Sequence, residues 1–411
     1  MIHGGGSRFS KALKETFSVY AFDLVGLIAG FLVAYQLGVF HLAPWAIALY
    51  PAVLGGKSVI DGLLSGRLST ALHIGTVYPR FSNNSKNFRN LIEAIVVLTL
   101  VMSVAISAIS MVFGHLFWGI TFADFPATLA VVAGTMSLGL SLLAVTLKLT
   151  FVSFKRALDP DTMVYPLMST VSSIFITLCY IAVLNLFFNF GGIGIITVAL
   201  LGVINLVLVL RAFPRNLHDV EFIDTIRDSL ASLMTVAIIV NLTGTLLKGI
   251  DQVLTQKVAV AQTKFYAGAI YTVYPAFLGI VSDVSSVIGS MATTKLALGM
   301  LRPKLSSVFH HAKSIGGVWL VSVVMFVLST FVALLINGEF TLTNFSTLIS
   351  IVLIANVLGV ALTVILSHGL SILIFQKGLD PDNFVIPIEN ALAASIISVT
   401  MLIALVLLTL G

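Results

Sequence analysis

Acidic residues flank a proline at two places in this otherwise apolar sequence. The first stretch reads Leu-Asp-Pro-Asp and contains Asp159 and Asp161, and the second has the same four residues and contains Asp380 and Asp382. Carboxylates are hard oxygen ligands, which suit Mg²⁺, Ca²⁺ or Mn²⁺. Only 9% of the residues are charged, so chance would rarely place the same motif in both halves. The pair of motifs indicates an internal duplication.

Two interpretations of these motif residues are open, and they can hold together. Each motif precedes an apolar segment, so Asp161 or Asp382 can accept hydrogen bonds from the first backbone N–H groups of a helix. Alternatively, the four carboxylates form a ring that concentrates cations at the cytoplasmic end of those helices. Asn383 follows the second motif, and Pro387, four residues later, removes the backbone donor that its carbonyl group would use, so this carbonyl oxygen can ligate an ion.

Other acids lie deeper in apolar segments, where a charge is costly and needs a reason. Asp283 has no basic residue within one helical turn, so it must pair across helices or bind a cation. Glu389 lies further along the segment that Asp382 opens. Asp61 differs, because Lys57 is four residues earlier and can neutralise it, although Lys57 can instead bridge to Asp283. Hard oxygen donors beside these acids are Ser282 and Asn390. We hypothesise that Asp283 is the principal ion-binding carboxylate and that Glu389 assists.

Composition and motifs exclude a site for soft metal ions and a site for ATP. The single cysteine, Cys179, allows neither an internal disulfide nor a thiolate cluster. The eight histidines are scattered, and no Gly-x-x-x-x-Gly-Lys-Ser/Thr loop marks an ATP site. The oxygen donors therefore favour Mg²⁺, with Mn²⁺ or Ca²⁺ as alternatives.

The elements that must position these residues are membrane-spanning helices. Hydrophobic residues make up 58% of the chain, and apolar runs of about 20 or more residues recur along it. The fold class is an all-α integral membrane protein with about eleven transmembrane helices. The predicted segments are 17–40, 43–75, 91–120, 125–154, 163–188, 192–213, 229–248, 265–298, 314–336, 343–375 and 384–410.

Basic residues predict the orientation of the chain in a cell membrane. With the N-terminus in the cytoplasm, most lysines and arginines fall in inner connections, which places the C-terminus outside. The basic connection 248–264 is the misfit, because it would lie outside. Residues 1–16 are expected to be an uncleaved cytoplasmic tail, and Asp23, near the start of the first segment, is interpreted as interfacial. The net charge of +5 comes from lysines and arginines that set the orientation of the chain in the membrane. No nucleic-acid partner is therefore expected.

The duplication extends beyond the acidic motifs. Tyr50-Pro51-Ala52 returns as Tyr274-Pro275-Ala276. Residues 17–190 and 216–411 are thus predicted to be two five-helix repeats, which 191–215 joins as an extra helix. Because that helix reverses the chain once more, the repeats are expected to run parallel, as in one known transporter plan. The ion path is expected at their interface, lined by the second, fifth, eighth and eleventh segments, with Asp61, Asp283 and Glu389 in one cavity.

The stretch 51–75, PAVLGGKSVIDGLLSGRLSTALHIG, resembles the signature of the MgtE and solute carrier family 41 divalent-cation transporters. The string from Asp380 to Pro387 resembles that family's other hallmark. The resemblance implies an MgtE-like fold in both repeats and transport of Mg²⁺ or a related cation. The family's deep pore-lining Asp, however, falls on Ser173 and Ala394 here.

These observations predict a transporter of divalent metal cations, with Mg²⁺ as the favoured ion and no enzymatic activity. The chain is expected to be a single-chain pseudo-dimer in the lipid bilayer, monomeric, and without the cytoplasmic regulatory domains of some MgtE relatives. One alternative is a Na⁺- or H⁺-coupled carrier of another ion or small solute. Another is an intramembrane Mg²⁺-dependent enzyme, which the spacing of the acidic pairs disfavours.

Overall fold

The computed structural model describes residues 20, 22–156, 160–261, 267–378 and 381–410. For 160–167, 257–261, 310–311, 381–386 and 409–410 it describes the backbone alone. Throughout these ranges the regular structure is helical and contains no strand. The expected all-α class is therefore confirmed.

Eleven principal helices are present in the described ranges, and ten of them are long and apolar enough to cross a membrane. The exception is α1, Leu24–Tyr35, which is shorter. The full set is α1 Leu24–Tyr35, α2 Ala46–Ile74, α3 Lys86–Trp118, α4 Phe122–Lys155, α5 Pro160–Asn189, α6 Gly191–Asn216, α7 Val220–Ala261, α8 Ala267–Ala297, α9 Ala312–Ile336, α10 Leu342–Lys377 and α11 Pro381–Leu410.

The helices differ from the predicted segments where polar residues are themselves helical. α7 begins nine residues before and ends well after the predicted segment 229–248, so part of the supposed basic connection is helix. Hydropathy marks only the apolar middle of such a helix. α4 is interrupted between Gly139 and Leu142, although its hydropathy is continuous.

The chain divides into two compact units. Unit 1 comprises Met1–Tyr35 and Leu246–Gly411, and unit 2 comprises Gln36–Thr245. In unit 2, α2 packs against α3, α4 and α5. In unit 1, α8 packs against α1, α9, α10 and α11. The central helix of each unit thus carries one copy of the repeated Tyr-Pro-Ala sequence.

The units and the predicted sequence repeats differ in two helices, α1 and α7. α1 belongs to the first repeat but packs in unit 1 against α8, a helix of the second repeat. The residues of α7 up to Thr245 belong to the second repeat but lie in unit 2. Repeats are defined by descent and compact units by packing, so the two divisions need not coincide.

A matched hydrogen bond joins the central helix to the last helix of each repeat. The Tyr50 hydroxyl pairs with Thr177 Oγ1 at 2.9 Å, and the Tyr274 hydroxyl pairs with Ser398 Oγ at 2.8 Å. Tyr50 and Tyr274 are equivalent in the repeat. The same α2–α5 and α8–α11 packing therefore occurs in both copies.

A glycine allows a very close helix crossing in each unit. A Cβ on Gly30 of α1 would lie 2.0 Å from the carbonyl oxygen of Thr272 in α8. A Cβ on Gly244 of α7 would lie 1.8 Å from the carbonyl oxygen of Ala48 in α2. Thr272 and Ala48 are equivalent in the repeat register. Small residues at such crossings let two membrane helices approach backbone to backbone.

Polar contacts tie the start of α3 to the start of α7 and to Asp219, which lies just outside that helix. Lys86 Nζ lies 2.5 Å from an oxygen of Asp219, and Asn87 donates to Glu221 over 2.8 Å. The hydrogen bond from Lys86 lowers the pKa of Asp219 below its ordinary value. These contacts fix the register of α7 at one end.

Candidate cation site

Asp283 faces another carboxyl group within unit 1. It lies on α8, 8% exposed, one turn after Gly279, and the carboxyl group of Asp23 packs against that glycine. Asp23 immediately precedes α1 and is 7% exposed. Asp23 was expected at the membrane interface, and the structure places its side chain inside unit 1. The packing of α1 on α8 buries it, because Gly26 and Gly30 bring the two helices close together.

Two further features shape the space around this carboxyl pair. The Tyr20 side chain is fully buried near both acids, and its hydroxyl has no partner. Gly279, one turn before Asp283, leaves room for the other acid, since a Cβ there would lie 2.6 Å from Asp23 Oδ1. Oδ2 of Asp23 and Oδ2 of Asp283 also have no hydrogen-bond partner. The described residues give neither acid a basic partner.

Glu389 is buried on α11 against a different side of α8. A Cβ on Gly289 would lie 2.1 Å from Glu389 Oε2, so the absence of a side chain at that position makes the space for this carboxyl. Ser371 of α10 donates to Glu389 Oε1 over 3.3 Å, whereas Oε2 has no partner. Glu389 is 2% exposed.

The neighbouring oxygen donors bond to one another. Ser282 Oγ donates to the backbone oxygen of Asn390 over 3.3 Å. Ser286 Oγ donates to Asn390 Oδ1 over 2.9 Å. These bonds hold α11 against α8 and place Asn390 beside Glu389.

The deep acids of unit 1 do not meet in one cluster. Gly289, which contacts Glu389, lies six residues beyond Asp283, which is about 9 Å along the helix and on a different face. No group of three or more His, Cys, Asp and Glu side chains that could hold a metal occurs in the part of the chain described here. The two carboxyl positions are therefore separate.

Asp61 lies in unit 2 and is already neutralised. It forms an ion pair with Lys57 one turn earlier on α2, and Ser172 of α5 donates to its Oδ2 over 2.7 Å. Lys57 is fully buried. Of the two partners considered for Lys57, the structure shows the one on its own helix.

Lys57→Met is expected to destabilise the protein by roughly 3–5 kcal/mol, because it leaves Asp61 buried without its cation. The measurement is unfolding of purified protein in mixed micelles. Lys57→Met combined with Asp61→Asn is the control, since it removes both charges and should recover most of the loss. Equal stability of the single variant and the wild type would contradict the expectation.

Five predicted site residues cannot be placed against these acids. Asp159 and Asp380 lie outside the described residues. Asp161, Asp382 and Asn383 lie at the starts of α5 and α11, where the structure describes no side chains. Capping and cation binding by these motifs thus stay predictions.

A comparison with protein families finds a match that includes most of α2, the central helix of unit 2. Residues 50–183 match the family model MgtE, described as a divalent cation transporter. The match covers about a third of the chain and shows a likeness of this stretch to the MgtE family. The expected resemblance is confirmed there, and the family is one of membrane transporters of divalent cations. No curated protein and no solved structure matches the chain.

The matched residues cover most of α2, all of α3 and α4 and much of α5. They contain the Lys57–Asp61 pair and the first acidic motif. The carboxyl pair of Asp23 and Asp283, and Glu389, lie outside the matched residues. Their link to the matched residues is the predicted internal repeat.

Sequence reasoning missed Tyr20 and the hydroxyl donor Ser371, and it gave Asp23 no role at an ion site. An acid next to an apolar segment is ordinarily interfacial, so Asp23 carried little signal on its own. The available clue was that Phe22 and Leu24 flank it and that no basic residue follows within α1. Only the packing of α1 on α8 reveals its partner.

Proposed function

We propose that this protein transports divalent metal cations, with Mg²⁺ as the principal ion, along a path at the interface of its two repeats. The observation that carries the proposal is the MgtE match over residues 50–183, together with the repetition of its motifs in the second half. The oxygen-only donor set supports Mg²⁺ over softer metals, and Mn²⁺ and Ca²⁺ are the nearest competitors.

Asp283 is the principal carboxylate in this proposal. Mg²⁺ sheds water reluctantly and usually binds through one or two carboxylates while it keeps several waters. A buried acid without a basic partner supplies negative charge where a partly dehydrated cation needs it. In a family whose deep pore acid is here Ser173 and Ala394, Asp283 takes over that electrostatic role.

Glu389 forms a second, separate binding site for the ion in this proposal. Its carboxyl group lies against Gly289, with a free Oε2 and the amide of Asn390 nearby. Two binding sites of low affinity let an ion enter and leave, whereas one site of high affinity would hold it in place. Asp61 contributes less, because Lys57 already neutralises its charge.

The motif acids Asp159, Asp161, Asp380 and Asp382, with Asn383, gather cations at the cytoplasmic ends of α5 and α11 in this proposal. Their support is the repeated sequence and the orientation that the basic residues predict. They raise the local cation concentration before the deeper carboxylates bind the ion.

The test is reconstitution of the full chain into liposomes with a panel of divalent and monovalent cations. We expect Mg²⁺ flux that depends on the membrane potential and competes with Mn²⁺. Flux of Na⁺ or protons together with a solute, without divalent flux, would overturn the proposal. That result would favour a Na⁺- or H⁺-coupled carrier, which facing carboxyl groups such as Asp23 and Asp283 also suit.

Glu389→Gln is expected to lower divalent flux about tenfold while leaving some transport, because it removes one of two carboxylate binding sites. The measurement is the initial rate of Mg²⁺ uptake at equal protein per liposome. Ser371→Ala serves as the control, since it removes the hydrogen bond to Glu389 and keeps the charge. An unchanged rate in Glu389→Gln would show that Glu389 has only a structural role.

A further inference from the structure

We propose that Asp23 and Asp283 together bind one divalent cation, with the Tyr20 hydroxyl beside them, so that the first helix of one repeat completes an ion site on the central helix of the other. This inference deepens the proposed function and rests on it for the nature of the ion. It adds a ligand, Asp23, that neither the family match nor the repeated motifs indicate.

The first argument is charge. Two ionised carboxylates in contact repel each other, and burial makes that repulsion stronger than in water. The described side chains packed around the pair from α1 and α8 include no lysine, arginine or histidine that could balance it. A divalent cation between the carboxylates balances the charge of both.

The second argument is the unused bonding capacity around the pair. Oδ2 of Asp23, Oδ2 of Asp283 and the Tyr20 hydroxyl are all buried and lack hydrogen-bond partners. Buried polar atoms without partners are rare in folded proteins, and each one needs an explanation. Three such oxygens on neighbouring side chains are the kind of donors that a hard cation with retained waters binds.

The third argument is the contrast with unit 2. In the repeat register Gly279 corresponds to Gly55, and Asp283 corresponds to Val59. A Cβ on Gly55 would lie 2.7 Å from Cγ1 of Val240, so a valine occupies the place that Asp23 has over Gly279. The same helix crossing is apolar in one unit and carries two acids in the other. Packing alone therefore does not require carboxyl groups at this crossing.

The experiment measures binding of Mg²⁺ and of Mn²⁺ to the purified full chain in detergent, by calorimetry and by Mn²⁺ paramagnetic resonance. Asp23→Asn and Asp283→Asn are each expected to lower the affinity at least tenfold. The double variant should be little worse than either single variant, because both acids serve one ion. Gly279→Ala should also weaken binding, since its methyl group displaces the carboxyl group of Asp23.

Asp251→Asn is the matched control. Asp251 is another buried acid of unit 1, and it accepts a hydrogen bond from the Tyr271 hydroxyl. Its replacement should leave the affinity for Mg²⁺ unchanged. Melting temperatures without and with Mg²⁺ separate binding from folding. Asp23→Asn should keep the stability of the cation-free protein and lose the stabilisation by Mg²⁺.

Each outcome decides the inference. Wild-type affinity in Asp23→Asn would overturn it, and the two acids would then share only a proton. A lower melting temperature with normal affinity would also overturn it, because Asp23 would then be structural. Failure of the proposed function looks different: the wild type would move no divalent ion in liposomes, whatever Asp23→Asn does to binding.

Discussion

Asp283→Asn is expected to abolish divalent-cation flux at an unchanged protein level. Asparagine keeps the size of the side chain but removes the charge that compensates a partly dehydrated Mg²⁺. Loss of groups that merely orient metal ligands already costs about 10–100-fold, so loss of the principal carboxylate should lower the flux by about 100-fold or more. The measurement is Mg²⁺ uptake into liposomes under a fixed membrane potential.

The controls for this prediction follow from the other acids. Asp61→Asn should lower flux much less, because Lys57 already neutralises Asp61. Asp251→Asn should not lower it, since that acid bonds to Tyr271. Normal flux in Asp283→Asn liposomes would contradict the assignment of the principal carboxylate and would weaken the cation assignment with it.

Gly30→Ala and Gly244→Ala are expected to destabilise the fold by roughly 2–4 kcal/mol each. The new Cβ would lie 2.0 Å or 1.8 Å from a backbone carbonyl oxygen, and no rotamer change can relieve a clash between a Cβ and a backbone. The helices must then separate along the whole crossing. The measurement is unfolding in mixed micelles, with helicity followed by circular dichroism.

Gly316→Ala in α9 and Gly66→Ala in α2 are the matched controls, because a Cβ at either position meets no atom within 4 Å. Both should be neutral or stabilising by up to about 1 kcal/mol, since alanine is the better helix former. If all four variants unfold alike, the close crossings do not exist in the membrane. Gly30→Ala should also disturb cation binding, because it moves α1, and with it Asp23, away from α8.

Much of the fold follows from patterns that extend over many residues. Runs of apolar residues predict helices whether or not their partners are known, because the bilayer requires every backbone group to be paired within its own segment. The duplication follows from Tyr50-Pro51-Ala52 and its copy. Helix ends follow less well: α7 continues past the apolar run, since Lys248 and Asp251 are helical although polar.

The candidate site was only partly predictable. A charge inside an apolar segment is costly wherever it points, so Asp283 and Glu389 stood out from the sequence alone. The partners of Asp283 and Glu389 could not be identified from the sequence alone. Lys57 and Asp61 are neighbours on one helix, and the spacing of four residues was enough to propose their contact.

The order of the amino acids alone establishes the membrane class and the likeness of residues 50–183 to divalent-cation transporters. It also predicts the repeat and identifies the acids that need an explanation. Helix packing shows what the amino acids alone could not: Asp23 lies against Gly279, one turn before Asp283, and Glu389 lies against Gly289 on another face of α8. It also shows that α1 packs in unit 1 with helices of the predicted second repeat. The reason is geometric. Which side chains meet across two helices depends on the rotation of each helix and on how closely glycines let them approach, and hydropathy records neither.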